Sequence, residues 1–404
     1  MTTLSTTSVL SADRTKTVLQ NFGRARLADF FGDLVIYRNL EPLDRRLPGL
    51  KAASYRMEIP NDRIPRKQDR DYAKAAVWFA KQAQKLRKQT TPLSEIVFVG
   101  DTFFSDGRAY SNMRDVTEWE GACFIGGEKP NDPPHAQVDD EMIFVSNRWA
   151  ALGDWAKWLL GQGLKLDART VAVIDIDKTA LGAKGRNDHV INEARLEGIF
   201  RTMDSVLGNN FDRILFERHY GELNRGRYHF LTEDNQDYLA YICMILNAGL
   251  IDYDDMLKEI ETDSLDNFEQ FLRWVDSRLN IHPFAGENLR QVHEAVIGSV
   301  RVGDPTPFKR FRRQEFITTV ERMGQLPDDA PVEMLLAEEI TLTNEVCELT
   351  EWLRARGVLL LCLSDKPDEA SCPDPRSPSE LAPVHQTPTH RVGSSIAAEL
   401  DALA

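Results

Sequence analysis

Three short stretches of this chain carry residue types that could do chemistry together. Residues 171–179 read VAVIDIDKT, an apolar run that ends in Asp175 and is followed by Asp177 and Thr179. A carboxylate at the end of a strand can attack phosphorus and form an acyl phosphate, splitting a hydrolysis into two easier steps. A second carboxylate two residues on can protonate the leaving alcohol and later deprotonate water. The Thr179 hydroxyl can hold the intervening turn through a bond to the backbone. Residues 96–106 read IVFVGDTFFSD, with Asp101 at the end of the apolar run and Asp106 five residues on. Magnesium takes oxygen ligands and few protein carboxylates. Asp101, Asp106, Asp175 and Asp177 are therefore the candidate ligands for Mg2+, and Gly100 lets the backbone pass close to that site. In VLLLCLSDKP, Ser364 follows a third apolar run and can aim a donor at a phosphoryl oxygen.

Each stretch has a plainer alternative. Asp pairs form turns, Ser105 or Asp106 can cap a helix, and a serine before Asp365 can be an ordinary turn residue. Gly303-Asp304, followed by Pro-Thr-Pro-Phe, shows how little a lone Gly-Asp says. The run DIDKTALGAKGRND after an apolar strand pattern is what favours chemistry at Asp175. Asp177-Lys178-Thr179 does not match the phosphorylated DKT of ion-pumping ATPases, because Ala-Leu-Gly follows it and no membrane span accompanies it.

Together the three stretches resemble the four-motif signature of the haloacid dehalogenase superfamily of phosphohydrolases. That family's usual order is Asp-x-Asp-x-Thr, then Ser/Thr, then Lys, then Gly-Asp-x(3–4)-Asp. Here the Gly-Asp piece lies upstream of Asp175, and the 40 residues after Ser364 contain no Gly-Asp-x-x-x-Asp. The resemblance therefore implies a circular permutation. It also implies Asp175 as nucleophile, Asp177 as acid and base, Thr179 and Ser364 in support, and a cation beside the phosphate. Lys67, in IPRKQDRDYAKAA, fits that cation, with Arg66 its near rival; Lys366, beside Ser364, is another cation to keep apart from this role.

Apolar runs at 95–100, 122–127, 142–146, 170–175 and 358–363 read as strands. The continuous ones suit central strands of a parallel sheet buried on both faces. LKAASYRMEI (50–59) gives a weak strand signal through Tyr55, Met57 and Ile59. Residues 69–88 and 148–164 read as helices, 17–40 suggest a helix leading into LVIYRNL, and SSIAAELDALA a closing helix capped by Ser394 or Ser395. From 186 to 350 the pattern is helical. The expected fold is α/β: a Rossmann-like parallel sheet with helices on both faces, in the permuted order the family implies, plus an all-α cap domain. The core comprises residues 1–185 and 351–404, the insert 186–350. In the family such an insert often covers the active site, which makes Arg218, Arg225, Arg227, Lys309, Arg310, Arg312 and Arg313 candidate anion contacts. Taken singly, each reads more simply as a solvated helix face.

The chain has 404 residues, room for two domains, and a net charge of −14. That charge argues against nucleic-acid or anionic-membrane partners, though a bound cation can still create a local anion site. Five widely spaced cysteines and the lack of a secretory pattern at the N-terminus point to free thiols in a cytoplasmic protein. No apolar run is long enough to span a membrane. The eight histidines show no metal-ligand spacing, and His385 and His390 have no assigned role. The expected activity is a Mg2+-dependent phosphatase for a small phosphorylated metabolite. Its alternatives are a phosphotransferase or mutase of the same fold, or a non-catalytic phospho-ligand-binding protein.

Overall fold

The apolar runs form the buried centre of one sheet. The computed structural model of the chain describes residues 18–60, 63–281, 286–375 and 380–403. The strands in chain order are β1 (Gln20–Ala25), β2 (Val35–Ile36), β3 (Glu95–Gly100), β4 (Glu120–Gly126), β5 (Ala136–Val138), β6 (Ile143–Ser146), β7 (Thr170–Asp175), β8 (Leu342–Thr343), β9 (Leu359–Leu363) and β10 (Thr389–Gly393). Seven of them make one sheet in the order β2-β9-β7-β3-β4-β6-β5, parallel except for the edge strand β5. The other three form a small sheet, β1-β10-β8.

The order of the large sheet carries topological information. Counted from β7 through β9 to β2, and then from β3 through β4 to β6, it is 3-2-1-4-5-6, the doubly wound order. The chain enters this cycle at its third strand. The edge between β7 and β3 is where the order reverses, and ligands of open parallel sheets sit beyond the strand ends at such a place.

Alternate residues of the central strands face opposite layers. Ile96 and Phe98 of β3, Val171 and Val173 of β7, and Leu359, Leu361 and Leu363 of β9 join one buried cluster with the helices Leu50–Met57, Arg70–Leu86 and Arg108–Asp115. On the other side Phe124 of β4 packs on Phe144 of β6 and on Trp149 and Trp155. Helices therefore cover both faces.

Two local expectations fail for identifiable reasons. The stretch at 50–59 is a helix, because Leu50, Ala53 and Met57 recur at helical spacing on its buried side while Tyr55 is 94% exposed. The stretch at 17–40 holds β1, a five-residue helix (Leu27–Phe31) and β2 rather than one helix. The positive φ of Gly32 (56°) ends that helix early. The closing helix is Ala397–Asp401, and Ser395 Oγ accepts from the Ala397 N–H.

The chain divides into two compact units, one made of the residues up to Ala194 with those from Thr319 onward, the other of Arg195–Thr318. The second is narrower than the expected 186–350, because side chains tie the flanks of that span to the α/β unit. Asn187 Nδ2 donates to the carbonyls of Leu336 and Glu339, and Asn187 Oδ1 accepts from the Thr341 N–H. Buried Arg186 binds Glu345 through two nitrogens and Glu128 through one. The helix Asn344–Ala355 packs beside β9 and the helix Leu152–Gly161.

Arg195–Thr318 is helical throughout its regular structure, with its own apolar core around Phe216, Tyr241, Phe268 and Phe271. Asp212, Asn235 and Asp252 cap three of its helices through their side chains. Among the described residues no helix is long and apolar enough to cross a membrane.

Candidate active site

The strand register sets the site. Asp175, the last residue of β7, pairs with Leu363 of β9, and Ile174 pairs with Val99 of β3. Asp101, Asp175 and Ser364 therefore leave three adjacent parallel strands within about one residue of the same level. Neighbouring strands lie about 4.8 Å apart, so side chains at these ends reach one another directly.

The carboxylates of Asp101, Asp106 and Asp175 each bring an oxygen within 4.8 Å of the others. Asp106 belongs to this group because Phe103–Gly107 forms a π-helical turn that carries it back over the strand end. Its Oδ2 accepts from the N–H groups of Asp101 (3.0 Å) and Thr102 (2.9 Å). Asp106 thus bonds backward onto the loop rather than capping the helix that follows. Gly100 is what makes room for it: a Cβ there would overlap the Asp106 carboxyl group.

Lys67 lies between two of these carboxylates. Its Nζ donates to Asp175 Oδ1 at 2.6 Å and pairs with Asp106 Oδ1, and it lies 5.6 Å from the centre of the Phe98 ring. The backbone N–H of its rival Arg66 donates to Asp69, while Lys67 is the one that reaches Asp175. Burial opposes the charge on Lys67, but Asp106 and Asp175 outweigh it and hold the ammonium well above its ordinary range. Burial pushes Asp175 well above the usual carboxylate range; Lys67 opposes this, and Asp106 and Asp101 add to it. Asp101 is also raised, by burial and by Asp106, against the pull of Lys184. Lys184 Nζ lies 2.7 Å from the Asp101 carbonyl and 3.2 Å from its carboxylate.

This donor set fits a hard divalent cation. It is made of carboxylate oxygens alone, as Mg2+ prefers, and the crowding that raises Asp101 and Asp175 is what a cation relieves. Asp106 already uses both oxygens, and the described residues give Asp175 Oδ2 no partner. Asp101 and Asp175 would hold the ion, with Asp106 bracing them. Asp177, expected among the ligands, is outside this cluster: its carboxylate is a quarter exposed and meets Lys366 Nζ at 3.5 Å.

The turn after Asp175 is held by backbone bonds, from Ala180 N–H to the Asp175 carbonyl (3.2 Å) and from Leu181 N–H to the Ile176 carbonyl (2.9 Å). Lys178 takes a left-handed conformation (φ 64°) to make it. The buried Thr179 hydroxyl has no partner among the described residues, so the expected hydroxyl-to-backbone bond is not formed. The Thr179 carbonyl instead accepts from Thr343. Ser364 is buried, and its Oγ accepts from the Lys366 N–H at 3.2 Å.

Sequence reading overlooked some neighbours. Lys184, in the run DIDKTALGAKGRND, is one of them. Tyr72, five residues past Lys67, is buried with its hydroxyl lacking a partner among the described residues. Phe103 and Phe104, in the turn between Asp101 and Asp106, are exposed and help line a cavity of about 420 Å³ that also touches Gln68 and Gly107.

Several of the other candidates are already engaged. Arg312, 3% exposed, is spent on Asp237 and Glu315, each at 2.6 Å, inside the helical unit. Arg225 and Arg227 pair with Glu222 on the surface, and Lys309 pairs with Asp304 at 2.9 Å. Arg310 donates to the Ser205 carbonyl. His390 binds buried Glu339 at 2.7 Å and His385 meets Asp33 at 3.2 Å. Comparison with family models, with curated proteins and with solved structures gives no match to this chain.

Proposed function

We propose that this chain is a Mg2+-dependent phosphatase of the haloacid dehalogenase type in permuted order, hydrolysing a small phosphorylated metabolite through phospho-Asp175. The observation that carries this reading is the meeting of Lys67, Asp101, Asp106 and Asp175 at adjacent strand ends. The 3-2-1-4-5-6 order counted from β7 supports the permutation.

Lys67 holds the Asp175 carboxylate through Oδ1 and so fixes its orientation for attack on phosphorus. Attack forms an Asp175–phosphorus bond and breaks the ester P–O bond, while Asp177 gives a proton to the leaving oxygen. Water then attacks phosphorus as Asp177 takes its proton, and inorganic phosphate leaves with Asp175 restored. Ser364 donates to a phosphoryl oxygen where charge develops. Mg2+, when bound, supplies positive charge that offsets the repulsion between carboxylate and phosphate.

The Arg195–Thr318 unit is the proposed source of specificity. Five free cysteines, four of them buried, suit a reducing cytoplasm. Hydrolysis of p-nitrophenyl phosphate with Mg2+ and with a chelator tests the proposal: activity that chelation removes supports it. A protein that binds phosphate but turns nothing over would be a binding module instead.

A further inference from the structure

Lys184 meets the carboxylate cluster from its open side. Its Nζ donates to the Asp101 carbonyl at 2.7 Å and pairs with Asp101 Oδ2 at 3.2 Å, while 42% of its side chain stays exposed. An ammonium has three donors, and the third has no partner among the described residues. Asp101 has an oxygen within 4.8 Å of one on Asp175, so a single carboxylate separates this ammonium from Asp175. Lys67 is the contrast: its side chain is 4% exposed and enclosed between Asp106 and Asp175.

The loop that carries Lys184 is built to deliver it there. Lys184 N–H donates to the Lys178 carbonyl (2.9 Å), and the Lys184 carbonyl accepts from the Glu128 N–H (2.9 Å) and the Trp149 indole (3.2 Å). Gly185 follows with φ 75°, and a Cβ there would overlap the Glu128 carbonyl. Its N–H donates to Asp188 at 2.8 Å, and buried Arg186 ties the next position to Glu128 and Glu345. With the backbone fixed on both sides, the side chain is the part left to respond to a ligand.

Charge decides which ligand. Asp101, Asp106 and Asp175 carry three negative charges, and Lys67 returns one. A divalent cation held there brings that set to neutrality, so the loaded site is net positive only through Lys184. The ion pairs beside the cluster, Asp177 with Lys366 and Asp365 with Arg38, leave this balance unchanged. Two effects of opposite sign follow. Lys184 and a divalent cation share the Asp101 carboxylate, so each weakens the other's hold on it. A phosphoryl group at Asp175 meets both positive charges and relieves their repulsion.

We propose that Lys184 couples the two ligands of the site: it lowers the affinity for Mg2+ alone, contacts the phosphoryl group through its third N–H, and so makes cation and anion bind cooperatively. This inference rests on the phosphatase reading and adds a residue to it.

The test is calorimetric titration of the full chain with Mg2+ alone, with Mg2+ at saturating inorganic phosphate, and with phosphate at saturating Mg2+. It compares the wild type, Lys184→Met and Lys184→Arg. In the wild type each ligand should tighten the other by the same factor. Removing one half-exposed charge predicts binding of Mg2+ alone tightened roughly 2-fold to 5-fold in Lys184→Met. Loss of a charge-assisted contact predicts phosphate binding at saturating Mg2+ weakened about 10-fold, with the coupling factor reduced to match. Lys184→Arg should keep the wild-type pattern. An Mg2+ affinity that is unchanged or lower in folded Lys184→Met overturns the proposal, the lower value marking a residue that only positions Asp101. Unchanged phosphate affinity overturns it as well, and so does a Lys184→Arg variant that behaves as Lys184→Met. A wild type that binds neither Mg2+ nor phosphate overturns the phosphatase reading and this inference with it; a wild type that binds both, with Lys184→Met indistinguishable from it, overturns this inference alone.

Discussion

Lys67 Nζ lies 2.6 Å from Asp175 Oδ1, joining two residues 108 positions apart in the chain. Asp106 completes the contact from a third segment, so one ammonium links the loop before the helix Arg70–Leu86, the turn after β3 and the end of β7.

Replacing that ammonium separates catalysis from cation binding. Lys67→Met removes a charge that competes with Mg2+ for the same carboxylates. Phosphatase activity should fall by roughly 10²-fold or more, as for loss of a group that stabilises charge in the transition state. Mg2+ affinity, measured by titration calorimetry, should stay the same or rise. A loss of Mg2+ affinity in step with activity would contradict the arrangement.

Gly100 has a steric duty. Gly100→Ala places a methyl group into the Asp106 carboxyl, and overpacking of this kind costs about 1–3 kcal/mol. Thermal melting should show that loss, and Mg2+ should stabilise the variant less than it stabilises the wild type. An unchanged melting temperature would mean that Asp106 moves freely.

Arg312 predicts the opposite pattern. Arg312→Ala leaves buried Asp237 and Glu315 without their partner, and breaking a buried ion pair costs about 3–5 kcal/mol. Urea unfolding should register this, while KM of the folded protein stays near wild type. A raised KM with unchanged stability would restore Arg312 as an anion contact.

Asp368 gives a pH signature. Burial raises its pKa to about 7, against the Asn39 N–H that donates to it at 2.8 Å. The folded protein therefore keeps a proton there that the unfolded chain has released. Stability from this group falls as pH rises from the ordinary carboxylate range to about 7 and levels off above it. Asp368→Asn should flatten that slope in melting experiments; an unchanged slope would assign it to other groups.

Much of the site was legible because it lies at the ends of continuous apolar runs. Burial on both faces makes residues 96–99, 171–174 and 359–363 continuous apolar runs, so the polar residues after them stand out. Lys67 was harder to read, since its neighbours show only a helix start, and its pairing is fixed by packing over Phe98 and by distant carboxylates. The two-residue strand β2 had no readable pattern. The helix at 50–57 was hidden by an accidental alternation of Tyr55, Met57 and Ile59. The unit boundaries at 194 and 319 were not visible, because long helices cross both and the ties through Asn187 and Arg186 are contacts between remote residues.

The most direct test of the central claim is intact-protein and peptide mass spectrometry on enzyme quenched in acid during turnover of a phosphomonoester with Mg2+. The account predicts one added phosphoryl group, mapped to Asp175 and absent in Asp175→Asn. Turnover with no phosphorylated enzyme, a phosphoryl group on another residue, or full activity in Asp175→Asn would contradict it.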